Sequence, residues 1–185
     1  MLLRWGLIAA LCLFLIPIHH DAQASDDVGA VIVTVTGNIG ETNRGPSDPF
    51  ADGLFSYHYI SFEKAYAFSR EDLAALGLKD LTVKYPNWPG EPIRFRGALM
   101  SAILDKVDAR GSTVRVQALD GYAVEFDVDT LRNGDFILAT ESEGQPLAVG
   151  ARGPAWLVFP PGSYEGQPED TDEKLVWSVF HIAVE

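Results

Sequence analysis

The stretch Asp120 to Pro160, DGYAVEFDVDTLRNGDFILATESEGQPLAVGARGPAWLVFP, decides how the chain folds. Val124, Phe126 and Val128 alternate with Glu125, Asp127 and Asp129, the pattern of a strand buried on one face. Asn133-Gly134-Asp135 turns the chain, and Phe136 to Ala139 is an apolar run that reads as a second strand. Gly144-Gln145-Pro146-Leu147 turns it again. Trp156 to Phe159 is a third strand, stopped by Pro160-Pro161-Gly162. The polar side chains that could meet a ligand therefore sit at strand ends and turns.

Working outward, Ala30 to Thr36 is rich in β-branched residues and predicts a strand ended by Gly37. Gly37-Asn38-Ile39-Gly40 has part of the look of a phosphate loop. It lacks the third glycine and a following helix, so it reads as a turn. Glu41 to Ser56 is a long loop, and Tyr57 to Phe62 predicts a short strand. Ser69 reads as the N-cap of a helix over Arg70 to Leu76, with Glu71 and Asp72 in its first turn and Gly77 as its stop. Leu81 to Tyr85 predicts a strand, and Pro86, Pro89 and Pro92 force an irregular segment around Trp88. Gly97 to Val107 carries a helical apolar face. Thr113 to Leu119 and Leu175 to Val184 predict two more strands. Several strands with two short helices argue an α+β fold with a mixed or antiparallel sheet.

The chain has 185 residues and a net charge of −12, which argues against nucleic acid and anionic membrane surfaces as partners. Arg4, the apolar run Trp5 to Ile18 and Ala22-Gln23-Ala24 read as a signal peptide over residues 1–24. The expectation is an exported single domain over 25–185, periplasmic or secreted, with no stable membrane insertion after cleavage. The single cysteine, Cys12, lies in that leader, so residues 25–185 hold no thiol for a disulfide, a nucleophile or a metal.

Candidate chemistry is sparse. Ser163 lacks the strand-to-helix setting of a nucleophile elbow. His58 and His181 have no partner at metal-ligand spacing, so no metal site and no catalytic residue is expected. Trp88, Trp156 and Trp177 read as core side chains. Asp120 and Glu141 stand at strand ends, while Glu143 reads as a solvated turn carboxylate. Arg152 and Lys174 stand out because cations are scarce, and Arg152 before Gly153-Pro154 is placed to clamp an anion.

Ile137-Leu138-Ala139-Thr140, Glu143-Gly144-Gln145-Pro146-Leu147, Arg152-Gly153-Pro154 through Pro160, and Lys174 to Trp177 follow one another in an order that resembles the oxidoreductase molybdopterin-binding domain, the sulfite-oxidase fold. Thr34 to Gly37 and Glu71-Asp72-Leu73 fit its N-terminal part. The resemblance implies a molybdenum-binding cysteine after the strand at Leu81 to Lys84, where this chain has Tyr85-Pro86. It also implies a longer loop where only Asn87 to Glu91 remains, and a histidine where Arg152 stands. The expectation is a small member of the fold without a bound cofactor, binding a small ligand or an envelope protein. The candidate pocket rim is Trp88, Asp120, Tyr122, Glu141 and Arg152. The alternative is a molybdopterin-dependent oxidoreductase with atypical ligation.

Overall fold

A computed structural model of the chain describes residues 29–167 and 172–185; the expected leader lies outside them. The chain begins with β1 (Val31–Gly37), whose Val33 and Val35 are buried on one face and Thr34 and Thr36 on the other. Gly37 ends it at φ +92°, a conformation that suits glycine. The short helix α1 (Gly53–Tyr57) follows, then β2 (Tyr66–Ser69). Ser69 caps α2 (Arg70–Ala75): its hydroxyl accepts from Asp72 N and the Asp72 carboxylate accepts from Ser69 N, a full capping box. Gly77 at φ +92° leaves that helix for β3 (Leu78–Val83).

β4 (Ile93–Leu99) runs directly into α3 (Met100–Lys106), which buries Met100, Ile103 and Leu104. β5 (Thr113–Ala118) and β6 (Ala123–Asp127) form a hairpin. α4 (Val128–Asn133), β7 (Ile137–Ser142), β8 (Gln145–Pro146), β9 (Trp156–Val158) and β10 (Val179–Val184) complete the order. The helices have five to seven residues, too few to persist alone, so packing holds them.

The strands form two sheets. The first runs β2-β1-β10-β5-β6, with β1 and β10 parallel and the other neighbours antiparallel. The second runs β3-β4-β7-β8, with β9 also against β7. One apolar cluster joins them, from Val35 and Val116 in the first sheet to Phe95, Leu138 and Leu157 in the second. β4 and β7 approach so closely at a bulge that a Cβ on Gly97 would collide with the Leu138 carbonyl.

Several expected boundaries change. Tyr57 to Phe62 is not a strand: Tyr57 closes α1, and Tyr59 is almost fully exposed at φ +56°, so these aromatics bury too little to hold a ladder. Gly97 to Leu99 belongs to β4, and the helix begins at Met100. β6 stops at Asp127, because Val128 and Leu131 turn inward together as one face of α4. The closing strand begins only at Val179; before it, Val176 makes a single bridge to Leu157. The described residues thus hold four helices rather than two.

Candidate functional site

Two neighbouring places matter: the position after β3, where the resemblance implies a thiolate, and a cleft beside it. Tyr85 fills the first. Its side chain is fully buried and its hydroxyl donates to the Phe159 carbonyl at 2.7 Å. Gln167 Nε2 donates to the same hydroxyl at 3.4 Å. Burial pushes the Tyr85 phenol well above its ordinary range, so it stays protonated. Trp88 N donates to the Tyr85 carbonyl at 3.0 Å, and the Trp88 ring lies 5.1 Å from Tyr85 and 5.8 Å from Trp156. Phe95 closes the group at 5.0 Å from Trp156.

The cleft has a volume of about 320 Å³, and Tyr122, Arg152, Trp156, Asp172, Leu175 and Trp177 line it. The Arg152 guanidinium lies 4.6 Å from the centre of the Trp156 ring, a cation–π contact. The Trp156 indole N–H is buried and has no hydrogen-bond partner among the described residues. Tyr122 and Trp177 are each about half exposed, at 48% and 46%, and form aromatic rims over a buried Leu175. Asp172 joins the cleft to the buried rings: its carboxylate accepts from Trp88 Nε1 at 2.8 Å and from Asn87 Nδ2 at 2.8 Å. Burial opposes ionisation of Asp172. The bonds from Trp88 and Asn87, with the nearby Arg152 charge, outweigh it and hold the carboxyl below its ordinary value.

Of the five residues of the expected rim, Tyr122 and Arg152 line this cleft and Trp88 lies beneath it, tied in through Asp172. Asp120 is spent on the β5–β6 turn, where its carboxylate accepts from Tyr122 N at 2.9 Å. Glu141 lies elsewhere, in a smaller cleft with Asp80, Arg94 and Arg96. Trp88 and Trp156 are core, as expected, but Trp177 is a surface residue. Asp172 was not singled out by the sequence; nothing local distinguishes it within an acidic loop.

The remaining candidates are occupied by structural tasks. The Ser163 hydroxyl donates to the Pro160 carbonyl at 2.6 Å. His58 Nε2 donates to the Leu119 carbonyl at 3.0 Å. His181 is buried and shares a 2.8 Å hydrogen bond with the Thr36 hydroxyl; burial, with the Arg115 and His58 charges, lowers its pKa to about 4. Among the described residues no group of three or more His, Cys, Asp or Glu side chains could hold a metal ion. No described helix is long and apolar enough to cross a membrane.

No protein-family profile and no curated protein sequence matches the chain. Its structure is similar to that of the sulfane dehydrogenase SoxCD from Paracoccus pantotrophus, with a TM-score of 0.55 at 15% identity. The similarity covers 82% of this chain and only 37% of that one. The chain has the sulfite-oxidase fold. It is α+β, with two sheets and short helices, as the order of its motifs implies.

A molybdopterin centre is what the sulfite-oxidase fold implies, and the residues present do not fit one. A soft thiolate is the protein's ordinary bond to such a metal. Residues 25–185 contain no cysteine, and the position implied for it holds a buried, protonated phenol already bonded to Phe159.

Proposed function

We propose that this protein is exported and works as a binding module on the sulfite-oxidase fold, without a functional molybdenum centre. The observation that carries the reading is Tyr85: a large side chain, fully buried and hydrogen-bonded, stands where the metal-holding thiolate is implied. The residual cleft offers what a small-ligand site needs. It has a volume of about 320 Å³, two half-exposed aromatic rims and a guanidinium positioned by its stack on Trp156. The bound species is a small ligand or a group on an envelope partner, held between Tyr122 and Trp177 and oriented by Arg152.

The leader-like sequence over residues 1–24 supports export. The direct test is metal and pterin analysis of the protein purified from its native envelope. Molybdenum far below one equivalent, with no pterin fluorescence, is expected. Stoichiometric molybdenum with pterin overturns the reading.

A further inference from the structure

Among the described residues, the β5–β6 hairpin leaves one edge of the first sheet without a neighbouring strand. Which backbone groups that edge presents follows from the register. Ala118 N donates to Tyr122 O, and Val128 N donates to Ser112 O, at the two ends of the hairpin. Between them Val116 stands opposite Val124, and Val114 opposite Phe126. Bonded pairs recur at every second residue of an antiparallel ladder. Val124 and Phe126 therefore bond to β5, while Ala123, Glu125 and Asp127 turn their N–H and C=O groups outward. Lys174 reports the same orientation independently, because its ammonium donates to the Glu125 carbonyl at 3.2 Å.

This edge lies along a groove. One cleft of about 780 Å³ includes Ala123, Val124, Glu125 and Lys174, and a second of about 410 Å³ continues it past Phe126, Asp127 and Glu165. Glu125 and Lys174 belong to both. Lys174 sits at their junction, its ammonium 5.0 Å from the Phe126 ring and 5.0 Å from the Tyr164 ring. A lysine on an open strand edge is a common guard against unwanted pairing. This one is held by one carbonyl and two ring faces, contacts that an incoming strand can replace.

We propose that the free edge of β6 is the docking site for an extended, lysine-rich segment of a partner protein. The segment adds to the first sheet as a sixth strand and displaces Lys174 from the Glu125 carbonyl. Charge selects this occupant. The Glu125 and Asp127 side chains are exposed along the edge, and Glu165 and Glu173 line the groove against the cations Arg115 and Lys174, on a chain of net charge −12. A second copy is the wrong partner: antiparallel self-pairing centred on Glu125 would set two Glu125 carboxylates against each other, and like charges directly opposite destabilise a ladder. The backbone supplies affinity and the alternating lysines supply specificity. None of this requires the Arg152 cleft to bind a ligand.

The test uses fluorescence anisotropy with a labelled peptide of alternating lysine and valine, about eight residues long. Its controls are the glutamate–valine counterpart and a lysine–valine peptide N-methylated at alternate amides. The full mature domain is expected to bind the cationic peptide, more weakly as salt rises, and not to bind either control. Lys174→Ala is expected to tighten binding several-fold by removing the guard. Glu125→Pro is expected to abolish it while the domain stays folded, since the lost N–H faces outward and proline is tolerated on such an edge. If that variant does not fold, the N-methylated peptide decides in its place.

Equal binding of the methylated peptide overturns strand addition. So does the absence of binding to both wild type and Lys174→Ala up to about 1 mM. Dimerisation of Lys174→Ala without peptide overturns the choice of occupant. Arg152→Ala is expected to leave peptide binding unchanged, and a loss there moves the site to the cleft and overturns the edge.

Discussion

Tyr85 and Arg152 end the same run of ring contacts, Tyr85 against Trp88, Trp88 against Trp156 and Arg152 over Trp156, yet their surroundings differ completely. At the Tyr85 end everything is enclosed: the ring is buried and the hydroxyl has its acceptor. At the Arg152 end the guanidinium is exposed beside two half-exposed aromatics, and the indole beneath it has an N–H without a partner among the described residues. The position after β3 is built as core, and an open cleft lies next to it. Function is to be sought where polar capacity remains unspent, and stability where it has been used.

The largest effect that sharpens this contrast is expected from Tyr85→Ala. It removes a buried ring and an internal hydrogen bond and should cost about 3–5 kcal/mol in urea unfolding. Tyr85→Phe keeps the ring but leaves the Phe159 carbonyl short of a donor, at about 1–3 kcal/mol. A loss under about 1 kcal/mol in the alanine variant breaks the comparison, because the position would then not be sealed.

Acid separates the two ends further. His181 lies away from both, and its effect must be recognised first. Its folded pKa, about 4, lies below the ordinary histidine value of 6.5, so the unfolded chain binds its proton first as pH falls. Stability therefore drops between about pH 6.5 and 4 and levels off below, by up to about 3 kcal/mol for this group. Urea unfolding across that window, with the His181 imidazole followed by NMR, checks it; an imidazole that titrates near 6.5 sinks the prediction.

Asp172 works in a lower window. Its folded pKa lies below the ordinary aspartate value of 3.8, so its stabilisation is present above that pH and lost as pH falls through the folded value. Asp172→Asn should remove this lower acid limb and cost about 1–3 kcal/mol at neutral pH, since the Trp88 and Asn87 donors lose a charged acceptor. If the variant keeps the wild-type acid profile below pH 4, Asp172 does not join the cleft to the buried rings as described.

These groups also show what the sequence could carry. β1, β5 and β6 are legible because alternating β-branched and apolar residues report a sheet with one buried face, and α2 is legible because Ser69, Asp72 and Gly77 supply both of its ends. The sulfite-oxidase fold is legible in the order of short motifs. α4 is not, because Val128 continues the strand alternation and only Leu131, three residues on, reveals a helical face. β4 hides between Pro92 and the helical pattern read over Gly97 to Val107, which takes in its last three residues. The site is the least legible part. Asp172 matters only because folding brings Trp88 and Asn87 to it across 84 and 85 residues. Asp120 and Glu141 show the converse: a carboxylate at a strand end is visible in sequence, but whether it faces a cleft or completes a turn depends on its neighbours in space.

The smallest expected effect is the most informative about function. Arg152→Ala removes an exposed cation and one cation–π contact, and should change stability by no more than about 1 kcal/mol. The same substitution uncovers Trp156, so its fluorescence should shift while the unfolding midpoint scarcely moves. Arg152→Lys keeps the charge but loses the planar stack, and is expected to resemble the alanine variant in fluorescence and the wild type in net charge. If Arg152→Ala instead destabilises the domain as much as Tyr85→Ala, the guanidinium belongs to the core. The contrast between a sealed end and an open one then fails at the residue proposed to orient a ligand.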